Sequence, residues 1–261
     1  MKRLVKVWLK ISAMAAQSQL LTNWSGILFI IGKIVRFLLF FVFLFRVISS
    51  AGTLAGYSCQ QVIFFFLVFN LVDIATQFLF RGVYRFRFAV ASGEYDLDLL
   101  KPLPSFFRPV FGWTDILDLI VFVPFVVYFT WFTLTNHLLA QPSVLPLFIF
   151  LLVNSLVLSF AFHLFVCSLC ILTLSIDHLV WIYRDLTNMA RFPTDIYHQG
   201  VQYLLTFTIP VIVLITVPAK ALLGLLSWSA VFFSFLAGGF SLYLSLRFWH
   251  YALTRYSSAS S

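Results

Sequence analysis

Charge is scarce in this chain of 261 residues. Charged residues make up 10% of it, Asp and Glu together number nine, and Glu94 is the only glutamate. Soluble domains carry roughly 25% charged residues. That deficit, with 62% hydrophobic and 19% aromatic residues and a mean hydropathy of +1.00, excludes a water-soluble fold. Long polar stretches are missing too: none exceeds about 35 residues, too short for an ordinary soluble domain. Residues 1–261 therefore read as a single transmembrane domain. Cysteine is sparse. Cys59 stands alone, and Cys167 and Cys170 form a CxxC inside the apolar run FHLFVCSLCILTL. A zinc or redox site there would bury thiolates in lipid, so the pair reads as helix packing.

Catalytic motifs are absent as well. There is no HExxH and no GxSxG. None of His137, His163, His178, His198 and His250 stands in ligand spacing with another, so no metal site is read. Asp177 and His178 are adjacent and diverge on a helix. GILFIIGKI (Gly26–Ile34) imitates a P-loop but has one residue too many between its glycines, has Ile34 where Ser or Thr is needed, and lies in an apolar run. The chain is thus not read as an enzyme and binds no cofactor of its own. If transport is ATP-driven, ATP and Mg belong to a partner ATPase subunit.

What the chain does have is apolar runs long enough to cross a bilayer, which takes about 20 residues. Six are expected as helices: Trp24–Ile48, Tyr57–Phe80, Ile116–Leu138, Val144–Leu174, Tyr203–Ala219 and Trp228–Leu246. The class is therefore an all-α membrane protein with six transmembrane helices. Residues 1–22, opening MKRLVKVWLK, read as an interfacial amphipathic helix. The basic residues orient the spans. With the N-terminus inside, thirteen Lys and Arg lie on the cytoplasmic side, among them Arg81, Arg184 and Arg191, against Arg46 and Lys220 outside. Both termini are expected in the cytoplasm. The substantial loops, 81–115 and 177–202, are expected there too.

Some polar residues fall at membrane depth. Lys33 and Arg36 share one face of the first span, and Asn70, Asp73 and Gln77 form a stripe on the second. Two readings stand: Lys33 or Arg36 pairs with Asp73 inside the bundle, or both cations snorkel to the inner interface. Asn70, Gln77 and His163 are candidates to line a substrate path. Ser155, Ser159, His163 and Cys167 recur every four residues, a spacing that packs helices together or lines that path. Pro210 and Pro218 in the fifth span and Gly238-Gly239 in the sixth suit a bundle that opens, and also occur in static bundles.

The acids gather in the loops. GEYDLDLLKPLP (Gly93–Pro104) bunches Glu94, Asp96 and Asp98 among leucines before Lys101 and Pro102. With no histidine nearby, this is neither a metal site nor a placed catalytic pair. It reads as a short amphipathic element offering negative charge and Leu99 to a soluble partner. The cation–aromatic alternation of Arg81–Phe88 suits the anionic inner interface. RNA binding is disfavoured by the adjoining spans, so no nucleic-acid partner is expected. In the second loop, Leu179, Ile182, Leu186 and Met189 follow helical spacing before Pro193.

The run ARFPTDIYHQGVQYLLTFTIPVIVLITVPAKALLG (Ala190–Gly224) resembles ABC-2-type permeases of a bacterial branch. Arg191, Phe192, Pro193, Ile196, Tyr197, Pro210, Pro218 and Ala219 carry the likeness, and Gly93, Asp96, Leu99 and Pro102 match the family's first-loop pattern. Lys33 and Arg36 depart from it, standing where neutral residues are expected. The resemblance implies a multi-pass protein of the bacterial inner membrane. It implies a homo- or heterodimer of permease chains working with two copies of an ABC ATPase subunit, usually in export. It also implies a cytoplasmic coupling helix between spans 2 and 3 that docks on the ATPase, which would involve Glu94, Asp96, Asp98, Leu99, Lys101 and Pro102. The Phe-, Leu- and Val-rich spans suit an amphipathic or hydrophobic cargo. The alternatives are an ion-coupled secondary transporter or a non-transporting scaffold.

Overall fold

A computed structural model describes residues 2–20, 23–173, 177–207 and 210–257. Met1, Leu21, Thr22, residues 174–176, Thr208, Ile209 and the last four residues of the serine-rich tail lie outside the described residues, as do the side chains of Leu20, Asn23, Trp24, Ser25, Ala51, Asp177, His178 and Leu179. The described residues are helical and include no strand. In chain order the helices are α1 (Lys2–Leu20), α2 (Asn23–Ala51), α3 (Cys59–Phe80), α4 (Val83–Ala91), α5 (Glu94–Leu99), α6 (Phe107–Phe111), α7 (Ile116–Thr135), α8 (Leu145–Thr173), α9 (Asp177–Asn188), α10 (Gln199–Phe207), α11 (Val217–Leu222) and α12 (Trp228–Thr254).

Five helical stretches are long and apolar enough to cross a membrane, and a bent pair offers a sixth. The five match the expected spans 1, 2, 3, 4 and 6. Their starts follow from local chemistry. Ser58 caps α3 in a reciprocal box with Gln61, and Asp115 and Ser227 accept backbone N–H bonds at the starts of α7 and α12. Phenylalanine supplies much of the interior. Phe37 stacks on Phe66, and Phe64 on Phe129, joining α2 and α7 to α3, most of whose residues are buried.

One end of the bundle is basic. There α1 lays Trp8 edge-on against Phe78 of α3, and the Gln19 side chain bonds the backbone of Thr114 and Ile116. Helices α4 to α6 fold into a small platform at this end. Phe86 and Tyr95 pack on Trp249 near the end of α12, and all three are buried. Gly82 lets the chain before α4 approach α6: a Cβ there would sit 2.8 Å from the Pro109 carbonyl oxygen.

The second half departs from expectation. The stretch 177–202 is not a surface loop. Val180 joins the buried cluster at the basic end, Tyr183 lies against Ser159 midway along α8, and Ala190 is fully buried. By Asp195 the chain has reached the opposite end, where this carboxylate accepts from Tyr57, just before α3, and pairs with Lys220 at 2.9 Å. The expected span Tyr203–Ala219 is not one straight helix. Its two helical parts, Gln199–Phe207 and Ile212–Leu222, meet at 85°. Asp195 and Lys220 flank the stretch and touch, so its two ends lie close together. Pro210, which cannot donate a helical hydrogen bond, stands between the two parts. The second part runs through π-type turns, with the Leu214 carbonyl accepting from Ser155 and that of Leu222 from Ala140.

Candidate functional site

Between α2, α3, α7 and the segment following α9 lies a cavity of about 670 Å³. That is within the roughly 300–1,000 Å³ of small-molecule sites. Helix α3 contributes its polar stripe, so Asn70, Asp73 and Gln77 all face the cavity as the spacing predicts. Asn70 donates to the Phe66 carbonyl at 2.7 Å, and Gln77 accepts from Arg81 at 2.9 Å. Helix α2 contributes Lys33 and Arg36.

Lys33 pairs with Asp118 rather than Asp73. Asp118 is fully buried in the first turn of α7, and its neighbour Asp115 both caps that helix and meets Arg81 at 3.5 Å. Depth arithmetic on the first two spans points to Asp73 because it leaves the third span out. The signal for Asp118 was present: two acids open α7, and only one can cap it. Lys33 also lies over the ring of Phe29, one turn earlier on α2, at 4.5 Å.

Arg184 and Arg191 are residues whose place at the cavity the sequence did not reveal. Counted from the sequence with the cytoplasmic residues, both line the cavity. Arg191 sits between the rings of Phe40 and Phe69, at 5.0 and 5.2 Å, and donates to Asn188 at 2.7 Å. Its Nε is buried without a hydrogen-bond partner. Phe69 is eleven residues from the basic end of α3, roughly 16 Å at helical rise and near the middle of a ~30 Å hydrocarbon core. An arginine at that depth costs about 2.5–3.5 kcal/mol on insertion scales, so residues placed there are generally functional. The rest of the Arg-Phe-Pro motif builds the turn that holds it. Phe192 packs on Phe40, Pro193 is buried, and Tyr197 donates to the Met189 carbonyl, with Ile196 half-buried beside it.

His163 does not reach the cavity. It is buried between Phe80, Phe162 and Tyr183, with Nδ1 2.7 Å from the Ser159 carbonyl. Ser155 and Ser159 bond neighbouring elements, and Cys167 and Cys170 are buried and form no disulfide, so the four-residue repeat packs helices. Gly238 and Gly239 do not hinge α12, which runs unbroken from Trp228 to Thr254.

At the basic end, α5 begins after Gly93, whose φ of +76° turns the chain. Its three acids have different fates. Asp96 accepts from Tyr256 at 2.7 Å, and Asp98 pairs with Lys101 at 2.7 Å and Arg108 at 3.4 Å. Burial, and then Asp96, push the Tyr256 hydroxyl up to about 12, so it remains a donor at physiological pH. Only Glu94 of the three points wholly outward, and Leu97 and Leu100, 62% and 82% exposed, stand beside it. Leu99, Lys101 and Pro102 are exposed as well. The surface offered by α5 is thus more apolar than its sequence suggests.

No curated protein matches the chain. The profile of the ABC-2 family transporter proteins matches residues 30–260, which include every lining residue of the cavity but Phe29, the α4–α6 platform and the hairpin. A bundle of apolar helices with a charged interior and a structured basic end suits a transporter's membrane component, and the chain belongs to the ABC-2 family of transporter proteins.

Proposed function

We infer that this chain is the permease of an ATP-driven ABC transporter, paired with a second permease chain and exporting an amphipathic or hydrophobic substrate across the bacterial inner membrane. Permeases of the family work with ABC ATPase partners. The observation that carries the reading here is α5: two exposed leucines and Glu94 on a helix braced from behind by Tyr95 and Tyr256. Exposed apolar side chains rimmed by charge mark protein contacts. In this reading the basic end is cytoplasmic, both termini lie there, and six segments cross, the fifth being 177–196. Glu94, Leu99, Lys101 and Pro102 join the leucines in contact with the ATPase, while Asp96 and Asp98 hold α5 in shape.

Affinity purification of the tagged chain from native membranes tests this. An ABC ATPase with ATP hydrolysis should co-purify. Leu97→Asp/Leu100→Asp should lower its recovery tenfold or more without changing the permease's thermal stability. Absence of any ATPase, or undiminished recovery with the double variant, overturns the reading.

A further inference from the structure

The central cavity is electrically unbalanced. Among the described residues five cations line it: Lys33 and Arg36 of α2, Arg81, Arg184 and Arg191. Asp73 is the one acid among the lining residues, while Asp118 and Asp115 engage Lys33 and Arg81. Three carboxylates against five cations leave an excess of two positive charges. Arg36, Arg184 and Arg191 share Asp73 as the lining carboxylate. Charges at membrane depth are normally paired or face a wet cavity, so this excess needs an anion or water. Arg191 favours an anion, because its guanidinium is fixed between two rings with one buried N–H unsatisfied, a donor already held in place.

The remaining wall is apolar, with Phe37, Phe66, Val121 and Phe125 among its residues. Ile34, Leu38 and Ile120 both line the cavity and are about half-exposed, so its mouth is ringed by apolar side chains at the depth of the spans. A mouth of that kind gives onto lipid rather than water.

We propose that this cavity binds an anionic amphiphile, its phosphate- or carboxylate-type head held by Arg36, Arg184 and Arg191 and its aliphatic tail leaving between α2 and α7. That such a molecule is cargo rests on the permease reading; the binding itself does not.

The test uses the purified full-length chain without ATPase. Binding of fluorescent phosphatidylglycerol is compared with that of phosphatidylcholine carrying the same chains, with inorganic phosphate as competitor. Phosphatidylglycerol should bind at least tenfold more tightly. Arg36→Gln/Arg191→Gln should reduce it to the phosphatidylcholine level and leave phosphatidylcholine unchanged. Phosphate should compete only at concentrations far above those of the lipid. Equal binding of the two lipids in the unaltered chain overturns the proposal. So does undiminished phosphatidylglycerol binding by the double variant, or phosphate binding as tightly as the lipid, which would mean a free-anion site. Should the double variant fail to fold, Arg36→Gln alone, at an exposed position, is held to a several-fold loss. Loss of ATPase association would overturn the permease reading and leave this binding result standing.

Discussion

Gly238 and Gly239 are neighbours with opposite requirements. A Cβ on Gly238 would overlap the carboxamide of Asn154, which donates to the backbone and hydroxyl of Ser234 and ties α8 to α12. A Cβ on Gly239 meets nothing within 4 Å. Alanine gains up to about 1 kcal/mol over glycine in a helix, whereas overpacking costs about 1–3 kcal/mol. Gly238→Ala should therefore lower the apparent melting temperature in detergent, with a net loss on the order of 1 kcal/mol. Gly239→Ala should leave it level or raise it. Equal shifts for the two variants would remove the close-approach argument. The sequence shows a Gly-Gly pair but not which glycine faces a neighbour, because that depends on the rotation of α12 against α8. The same limit applies to Lys33, whose partner Asp118 becomes visible only when α7 is packed beside α2.

At the scale of elements, the five apolar helices were legible because length and composition decide them. The packing of residues 177–196 into the bundle was not. Residues 177–196 carry Arg184, Asp185, Arg191 and Asp195, a burden that hydropathy assigns to water. The fold hides two of those arginines in a cavity and pairs Asp195 with Lys220. The stretch 203–219 is apolar enough to cross, yet composition cannot show that its ends lie close together. Cysteine labelling separates the two topologies. In a background lacking Cys59, Cys167 and Cys170, the exposed positions Glu94, Ser143 and His198 are each changed to Cys and treated with a membrane-impermeant maleimide on sealed vesicles of either orientation. His198→Cys should label from the same side as Ser143→Cys and the opposite side from Glu94→Cys. Labelling together with Glu94→Cys would restore the cytoplasmic loop.

Across the whole molecule, side-chain contacts tie α5 to the end of α12. Tyr95 is fully buried beneath it and touches Phe86, Trp249 and Tyr256, and the Trp249 indole donates to Ser105 at 2.9 Å. Tyr256 bonds Asp96 across 160 positions of sequence. If α5 docks an ATPase as proposed, a push on it would reach the end of α12, which packs along α8, whose Ser155 bonds the Leu214 carbonyl. Docking and transmission should then be separable in the permease–ATPase complex. Hydrogen bonds to charged groups contribute about 1.5–3 kcal/mol, less where solvent reaches them. Tyr256→Phe should therefore keep ATPase association and ATP hydrolysis near those of the unaltered complex while transport falls several-fold. Leu97→Asp/Leu100→Asp should lose association itself. If Tyr256→Phe transports normally, the Tyr256–Asp96 bond is a static brace and the displacement travels by another route. The nearest alternative is the α4–α8 contact around Phe86, Val90 and Leu164, which the variant leaves untouched.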